Sequence, residues 1–385
     1  MIRIGIEASP LLVEQQTGIE HYVSALVAEL TAVEDQFKDI TFIFYFHAGN
    51  PFASRSKLDE VVELLSRKGS RYQVYHARRG FGIALSYYSR RDKLNLIHML
   101  RGVGPRYGSC PYVLTIYDAI SVGLTREERE LEKSKDTDPR WATIKKANGI
   151  IYISESTRRD VQAFLEKNIT APTKVIYLGV DSRFFKNNQV EVSPWRESIS
   201  PPYILFVGTI QYRKNLARLV EAFSILKVSR GIPHKLVLAG RDGWGAEQVY
   251  EKVIELGLQD EVLFPGYIAD IDLPALYGGA DVYAYPSLHE GFGIPILEAM
   301  ASETVVVTSR IYSMPEVAAD AVIYVDPRNT EDIAHGLWRG ISDQALRSRL
   351  ARMGVHRARQ FTWLKNAQST VEFYYEVVSG LNNHQ

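Results

Sequence analysis

The chain has 385 residues, 45 Lys+Arg against 45 Asp+Glu, 46% hydrophobic and 23% charged residues. That length exceeds one ordinary core and suggests two domains, the composition excludes a disordered chain, and the balanced charge gives no field that would favour nucleic acid. Cys110 is the only cysteine, which excludes an internal disulfide or a cysteine-cluster zinc site and suits a reducing cytosol.

Met1-Ile-Arg-Ile-Gly-Ile-Glu7 reads as a buried strand and not as a secretion signal. No stretch reaches the ~20 apolar residues of a membrane span, so any membrane contact is expected to be peripheral. Strands are expected at Ile2–Glu7, Thr41–Phe46, Arg71–His76, Leu96–His98, Val113–Ile116, Ile150–Ile153 and Lys174–Tyr177, with a helix over Ile19–Thr31. Pro194, Pro201 and Pro202 mark a linker over 193–202. Six further strands follow, at Tyr203–Gly208, Lys235–Ala239, Glu261–Pro265, Val282–Tyr285, Thr304–Thr308 and Ala321–Val325. Strands alternating with helical patterns predict an α/β fold of two Rossmann-like, doubly wound domains facing across a cleft: 1–192, then 203–362.

Chemistry is expected at the carboxyl ends of these strands. Ser287-Leu-His-Glu-Gly-Phe-Gly-Ile-Pro-Ile-Leu-Glu-Ala-Met-Ala301 follows a strand. Gly291 and Gly293 allow close backbone approach, Pro295 suits a first helical turn, and a helix amino terminus with free N–H groups would favour phosphate. Glu298 either complements that helix dipole from the first turn or accepts from ribose hydroxyls. Glu290 beside glycines has no comparable structural use. Phe206-Val-Gly-Thr-Ile-Gln-Tyr-Arg-Lys-Asn215 brings Arg213 and Lys214 to another strand end, without acids nearby in sequence. They are either a solvated surface pair or a diphosphate clamp.

In the first domain, Thr17-Gly-Ile-Glu-His-Tyr22 opens a helix at which Gly18 is either a plain helix start or a backbone donor to phosphate. Tyr117 and Asp118 stand at a strand end, and Ser154 and Ser156 are either binding groups or helix caps. Arg126–Arg140 reads as a solvated charged segment. Asp270-Ile-Asp272 and Asp136-Thr-Asp138 match a bare Asp-x-Asp pattern, read as capping and loop positions and not as metal sites, so no metal or other cofactor is expected. Arg78, Arg79, Arg90, Arg91 and Lys93, interleaved with Phe81, Tyr87 and Tyr88, could dock an anionic membrane or a polyprenyl-diphosphate acceptor.

Taken in order, these segments resemble the family 4 (group 1) retaining glycosyltransferases of the GT-B fold. Glu290 and Glu298 resemble that family's E-x7-E pair, with further matches at Val207–Asn215, Val175–Asp181, Ser154-Glu155, Pro265–Ile268 and Phe361–Trp363. The resemblance implies a hexosyltransferase using a nucleoside-diphosphate sugar, UDP-hexose ahead of GDP-mannose, on a glycan or lipid-linked acceptor in polysaccharide biosynthesis. It implies that Lys214, Arg213, Gly18 and Ile296 meet the diphosphate, that Glu298 takes ribose, and that Tyr267 and Ile268 take the base. Glu290, Gly291, Phe292 and Gly293 would take the donor sugar, with Asp118 beside the reacting centre, and the resemblance implies that 363–385 crosses back to the first domain as a helix. The chain departs from the family in carrying Thr209 where many relatives have Arg, and Tyr117 where many have His. The competing readings are a glycoside hydrolase carboxylate pair, an NAD-dependent oxidoreductase and a non-catalytic partner subunit. The first leaves the cations without a role, and the second lacks the third glycine of G-x-G-x-x-G.

Overall fold

The computed structural model describes residues 1–13, 18–37, 39–47, 54–67, 70–75, 81–101, 110–118, 143–165, 169–185 and 199–382. Arg78, Arg79, the charged segment 126–140 with Asp136 and Asp138, Thr17 and linker residues 193–198 lie outside them.

The chain divides into two units, Met1–Gly179 with Trp363–Gln385, and Val180–Thr362. The division falls upstream of the expected linker because residues after Gly179 pack into the second unit. The Val180 N–H donates to the Phe361 carbonyl at 3.1 Å. Phe184 is buried with its ring 5.8 Å from that of Tyr277, and Ile199 is buried as well.

In the first unit the described strands are β1 (Ile2–Glu7), β2 (Ile40–His47), β3 (Arg71–Tyr75), β4 (Leu96–Met99), β5 (Tyr112–Ile116), β6 (Gly149–Tyr152) and β7 (Thr173–Val175). They form one parallel sheet ordered β3-β2-β1-β4-β5-β6-β7. β4, β5 and β6 are buried along their whole length, which is why they read as continuous apolar runs. Helix Gly18–Val33 buries Tyr22, Val23, Leu26, Val27 and Leu30 at helical spacing, and helix Trp363–Asn382 packs on it.

In the second unit β8 (Tyr203–Val207), β9 (Lys235–Ala239), β10 (Val262–Gly266), β11 (Val282–Tyr285), β12 (Val305–Ser309) and β13 (Ile323–Val325) form a parallel sheet ordered β10-β9-β8-β11-β12-β13. Every expected strand has its counterpart among the described residues, with ends shifted by one or two positions where they shift. The order reverses between β1 and β4 in one sheet and between β8 and β11 in the other. A doubly wound sheet opens its ligand crevice at such a point.

The loops after β8 and β9 continue to pair beyond the strands. Ile210 N–H donates to the Arg241 carbonyl at 2.7 Å, Gly243 N–H to Ile210 at 2.8 Å and Tyr212 N–H to Trp244 at 2.9 Å. Gly240 makes this possible. Its φ is +146°, and a Cβ there would lie 1.9 Å from the Gly208 carbonyl oxygen, which is backbone and cannot swing away. Gly240→Ala is therefore expected to destabilise the protein by about 2–4 kcal/mol, measured as the loss of melting temperature. Gly380→Ala, within helix Trp363–Asn382 and facing open space, is expected to leave it unchanged or raise it.

Candidate active site

The second sheet brings Glu290, Arg213 and Lys214 together, because the loops after the adjacent strands β8 and β11 carry them. Arg213 and Lys214 end a short 3-10 turn (Tyr212–Lys214), and Asn215 then adopts a left-handed conformation, φ +61°, that starts helix Leu216–Arg230. Asn215 is fixed there by donating through Nδ2 to the carbonyls of Pro286 at 3.0 Å and Pro327 at 2.7 Å. The Leu288 N–H closes the loops on each other by donating to the Arg213 carbonyl at 2.8 Å.

Glu290 is almost wholly buried. Arg213 Nη1 donates to its Oε2 at 2.7 Å and to the His289 carbonyl at 3.1 Å, while Lys214 Nζ donates to its Oε1 at 2.6 Å. The cations therefore have an acid beside them after all, one that is remote in sequence and adjacent in space. Lys214 is itself buried, donates to the Tyr285 hydroxyl at 2.6 Å and lies 4.7 Å from that ring's centroid. Burial pushes the Glu290 carboxyl up, but the two cations and their hydrogen bonds more than offset this and bring it down to about 2. The group is an anion at every physiological pH. Two cations against one carboxylate leave one positive charge in excess, at the mouth of a strand pair.

The turn after Glu290 is held from β12's side. The Ser313 hydroxyl lies 2.9 and 3.0 Å from the carbonyls of Glu290 and Phe292, and Ser309 donates to the Ser287 carbonyl at 2.7 Å. Gly291 and Phe292 are buried, and Gly293 caps helix Ile294–Ala301 with φ +97°. Two expectations change here. Pro295 has no N–H and the Ile296 N–H already donates to the Gly293 carbonyl at 3.0 Å, so these first-turn positions offer fewer donors to an anion than expected. Glu298 lies beyond the first turn, since the helix starts only at Ile294. Its carboxylate instead accepts from the Tyr277 hydroxyl at 2.8 Å. Burial pushes the Glu298 carboxyl up to about 7, the Tyr277 bond offsetting only part of this.

Tyr267 follows β10, is half exposed, and has the Arg241 guanidinium 4.8 Å from its ring centroid; Ile268 beside it is buried. Asp272 stands at the N-cap of helix Leu273–Gly278 but makes no side-chain cap bond. In the first unit, Gly18 is the exposed first residue of its helix, and Asp118 stands two positions past β5. Ser154 caps helix Glu155–Phe164, accepting from the Thr157 N–H at 2.9 Å. Sequence reasoning missed Tyr285, Tyr277 and Ser313. The signal available for the tyrosines was that a phenol on a buried strand or helix needs a polar partner for its hydroxyl.

Residues 190–357 match the family described as "Glycosyl transferases group 1". The O-antigen chain mannosyltransferase B of Escherichia coli is 35% identical over 173 residues, 45% of this chain and 45% of that protein. The mannosylfructose-phosphate synthase of Agrobacterium fabrum is 31% identical over 200 residues, 49% of this chain and 44% of that protein. The chain thus spans less than half the length of these two relatives. Among solved structures, sucrose-phosphate synthase from Thermosynechococcus elongatus aligns with TM-score 0.74 and 21% identity over 99% of this chain and 100% of that one. The HepE protein of Anabaena, solved with UDP and glucose, aligns with TM-score 0.70 and 18% identity over 98% and 100%. These structural likenesses show the GT-B fold. β8, β11 and the Glu290 cluster all lie inside the segment that matches the group 1 glycosyl transferases.

Proposed function

We propose that this chain transfers a hexosyl group, mannosyl by analogy with the named relatives, from a nucleoside-diphosphate sugar to a glycan or lipid-linked acceptor with retention at the anomeric carbon. The observation that carries this is the buried carboxylate between Arg213 and Lys214 at the reversal point of the second sheet. An entering diphosphate competes with Glu290 for the two cations, and the carboxylate so released accepts from hydroxyls of the donor sugar. Ile296 and the Gly291–Gly293 backbone belong to the same phosphate and sugar contacts in this proposal. Glu298 accepts from ribose, and Tyr267 and Ile268 border the base.

Chemistry then proceeds on one face. The bond from the anomeric carbon to the diphosphate oxygen breaks, an oxocarbenium-like centre forms, and the acceptor hydroxyl attacks from the same side while its proton passes to the departing phosphate oxygen. Arg213 and Lys214 neutralise that oxygen, so the proposal assigns no step to a metal. For the acceptor, no described helix is long and apolar enough to cross a membrane. Helix Phe81–Arg91 exposes Tyr87, but its Arg91 is already engaged by Asp92 at 2.8 Å and Gln73 at 2.6 Å. That pairing weakens the basic surface proposed for peripheral membrane contact.

Lys214→Ala is expected to lower kcat roughly 10²–10³-fold, read as nucleotide release from the sugar donor; near-normal turnover would refute the assignment. A thermal-shift panel of UDP, GDP and ADP is expected to single out one base, since a ligand at ~100 times its Kd stabilises by ~2.7 kcal/mol. Glu298 adds a pH dependence. Its raised folded-state value favours the folded protein while it is protonated, and that contribution is lost as pH rises from the ordinary carboxylate range through about 7. Ionised Glu298 is the better ribose acceptor, so nucleotide affinity is expected to rise between pH 6 and 8 in the wild type and to stay flat in Glu298→Gln, as read by calorimetric titration.

A further inference from the structure

The turn that carries Glu290 is supported from two sides, and the proposed chemistry uses only one of them. On the β8 side Arg213 and Lys214 grip the carboxylate itself. On the other side stands the loop after β12, residues 310–313, which holds the main chain of the turn and the ring of His289. The Ser313 hydroxyl lies 2.9 Å from the Glu290 carbonyl and 3.0 Å from that of Phe292. The Tyr312 ring lies against the His289 imidazole, with centroids 4.2 Å apart. His289 directly precedes Glu290, is buried, and its carbonyl accepts from Arg213 Nη1 at 3.1 Å.

Tyr312 holds that place against the preference of its backbone. Its φ is +53°, the left-handed region that a bulky side chain seldom adopts because its Cβ crowds the following carbonyl oxygen. Glycine or asparagine would sit there with less strain. Filling a core does not explain the ring either, since 39% of Tyr312 is exposed. Backbone strain of this kind persists where the surrounding structure enforces it, and it gathers at functional sites. The exchange proposed above gives the side chain a duty. When a diphosphate takes Arg213 and Lys214, the Glu290 carboxylate loses both of its anchors, and the turn then depends more heavily on the loop after β12.

We propose that Tyr312 is a positioning residue for the donor sugar. Its ring, wedged on His289, works with the neighbouring Ser313 hydroxyl to keep the Glu290 turn in place once the diphosphate has drawn the cations away, so that the carboxylate meets hydroxyls of the sugar. The inference rests on the reading of Glu290 as a donor-sugar ligand. Tyr312 acts through His289 and the turn, and it therefore governs the hold on the sugar and not the hold on the nucleoside diphosphate, which belongs to the cations.

Calorimetric titration of the full chain with GDP, UDP, GDP-mannose and UDP-glucose separates the two. Tyr312→Asn keeps a residue that tolerates the left-handed backbone but removes the ring. The nucleotide sugar that the wild type binds is expected to lose roughly 10- to 100-fold in affinity for this variant, the equivalent of a hydrogen bond to a charged group. The matching nucleoside diphosphate should keep its affinity, and Tyr312→Phe, which retains the ring, should restore the grip on the sugar. Wild-type affinity of Tyr312→Asn for the nucleotide sugar would overturn the assignment. An equal loss of nucleotide sugar and diphosphate would also overturn it, by showing a general disturbance of the loops, and so would a loss in Tyr312→Phe as large as in Tyr312→Asn. Should Tyr312→Asn fail to fold, Tyr312→Gly, unstrained at positive φ, is titrated in the same way and decides on the same outcomes. A wild type that binds neither diphosphate nor nucleotide sugar would overturn the donor reading itself, and the role of Tyr312 with it.

Discussion

The second unit is organised around one buried negative charge. Glu290 can be ionised out of water because Arg213 and Lys214 reach it from a neighbouring strand's loop, and removing Glu290 itself would leave the cations uncompensated, a loss of about 3–5 kcal/mol for buried pairs in general. Much of the surrounding structure follows from that requirement. Asn215 takes a left-handed turn and bonds to Pro286 and Pro327 so that the cations end where they do. Ser313 fixes the carbonyls on either side of Gly291, and Tyr285 spans from the strand to the lysine.

Topology explains why this charge cluster lies where it does. β8 and β11 are adjacent only because the chain reverses its direction of winding between them, which brings the loops after them together at the point where a doubly wound sheet takes its ligand. The cations come from one of these loops and the carboxylate from the other. The first sheet reverses in the same way between β1 and β4.

Much of this was legible in the sequence. The thirteen strands among the described residues were readable because a parallel sheet covered on both faces writes its strands as short β-branched and aromatic runs between helical patterns, and the ends of β9 and β11 fall where the pattern stops. Arg213, Lys214 and Glu290 stood out as candidates because they fall at strand ends, Glu290 beside glycines, and Glu298 by its spacing from Glu290. The pairing of Glu290 with the cations was not legible, since 76 and 77 positions separate them. Nor was the start of helix Ile294–Ala301, set by the Gly293 conformation, which moved Glu298 out of the first turn and onto Tyr277. The unit boundary at Gly179 escaped because proline content suggests where a chain bends, whereas the burial of Phe184 and Ile199 decides which core it joins.

A crystal structure of the protein with a bound nucleoside-diphosphate sugar tests the central claim most directly. The account predicts the pyrophosphate within hydrogen-bonding distance of Arg213 and Lys214, with the Glu290 carboxylate turned from them toward hydroxyls of the sugar. A nucleotide sugar bound elsewhere, with Glu290 still paired to both cations, would contradict it.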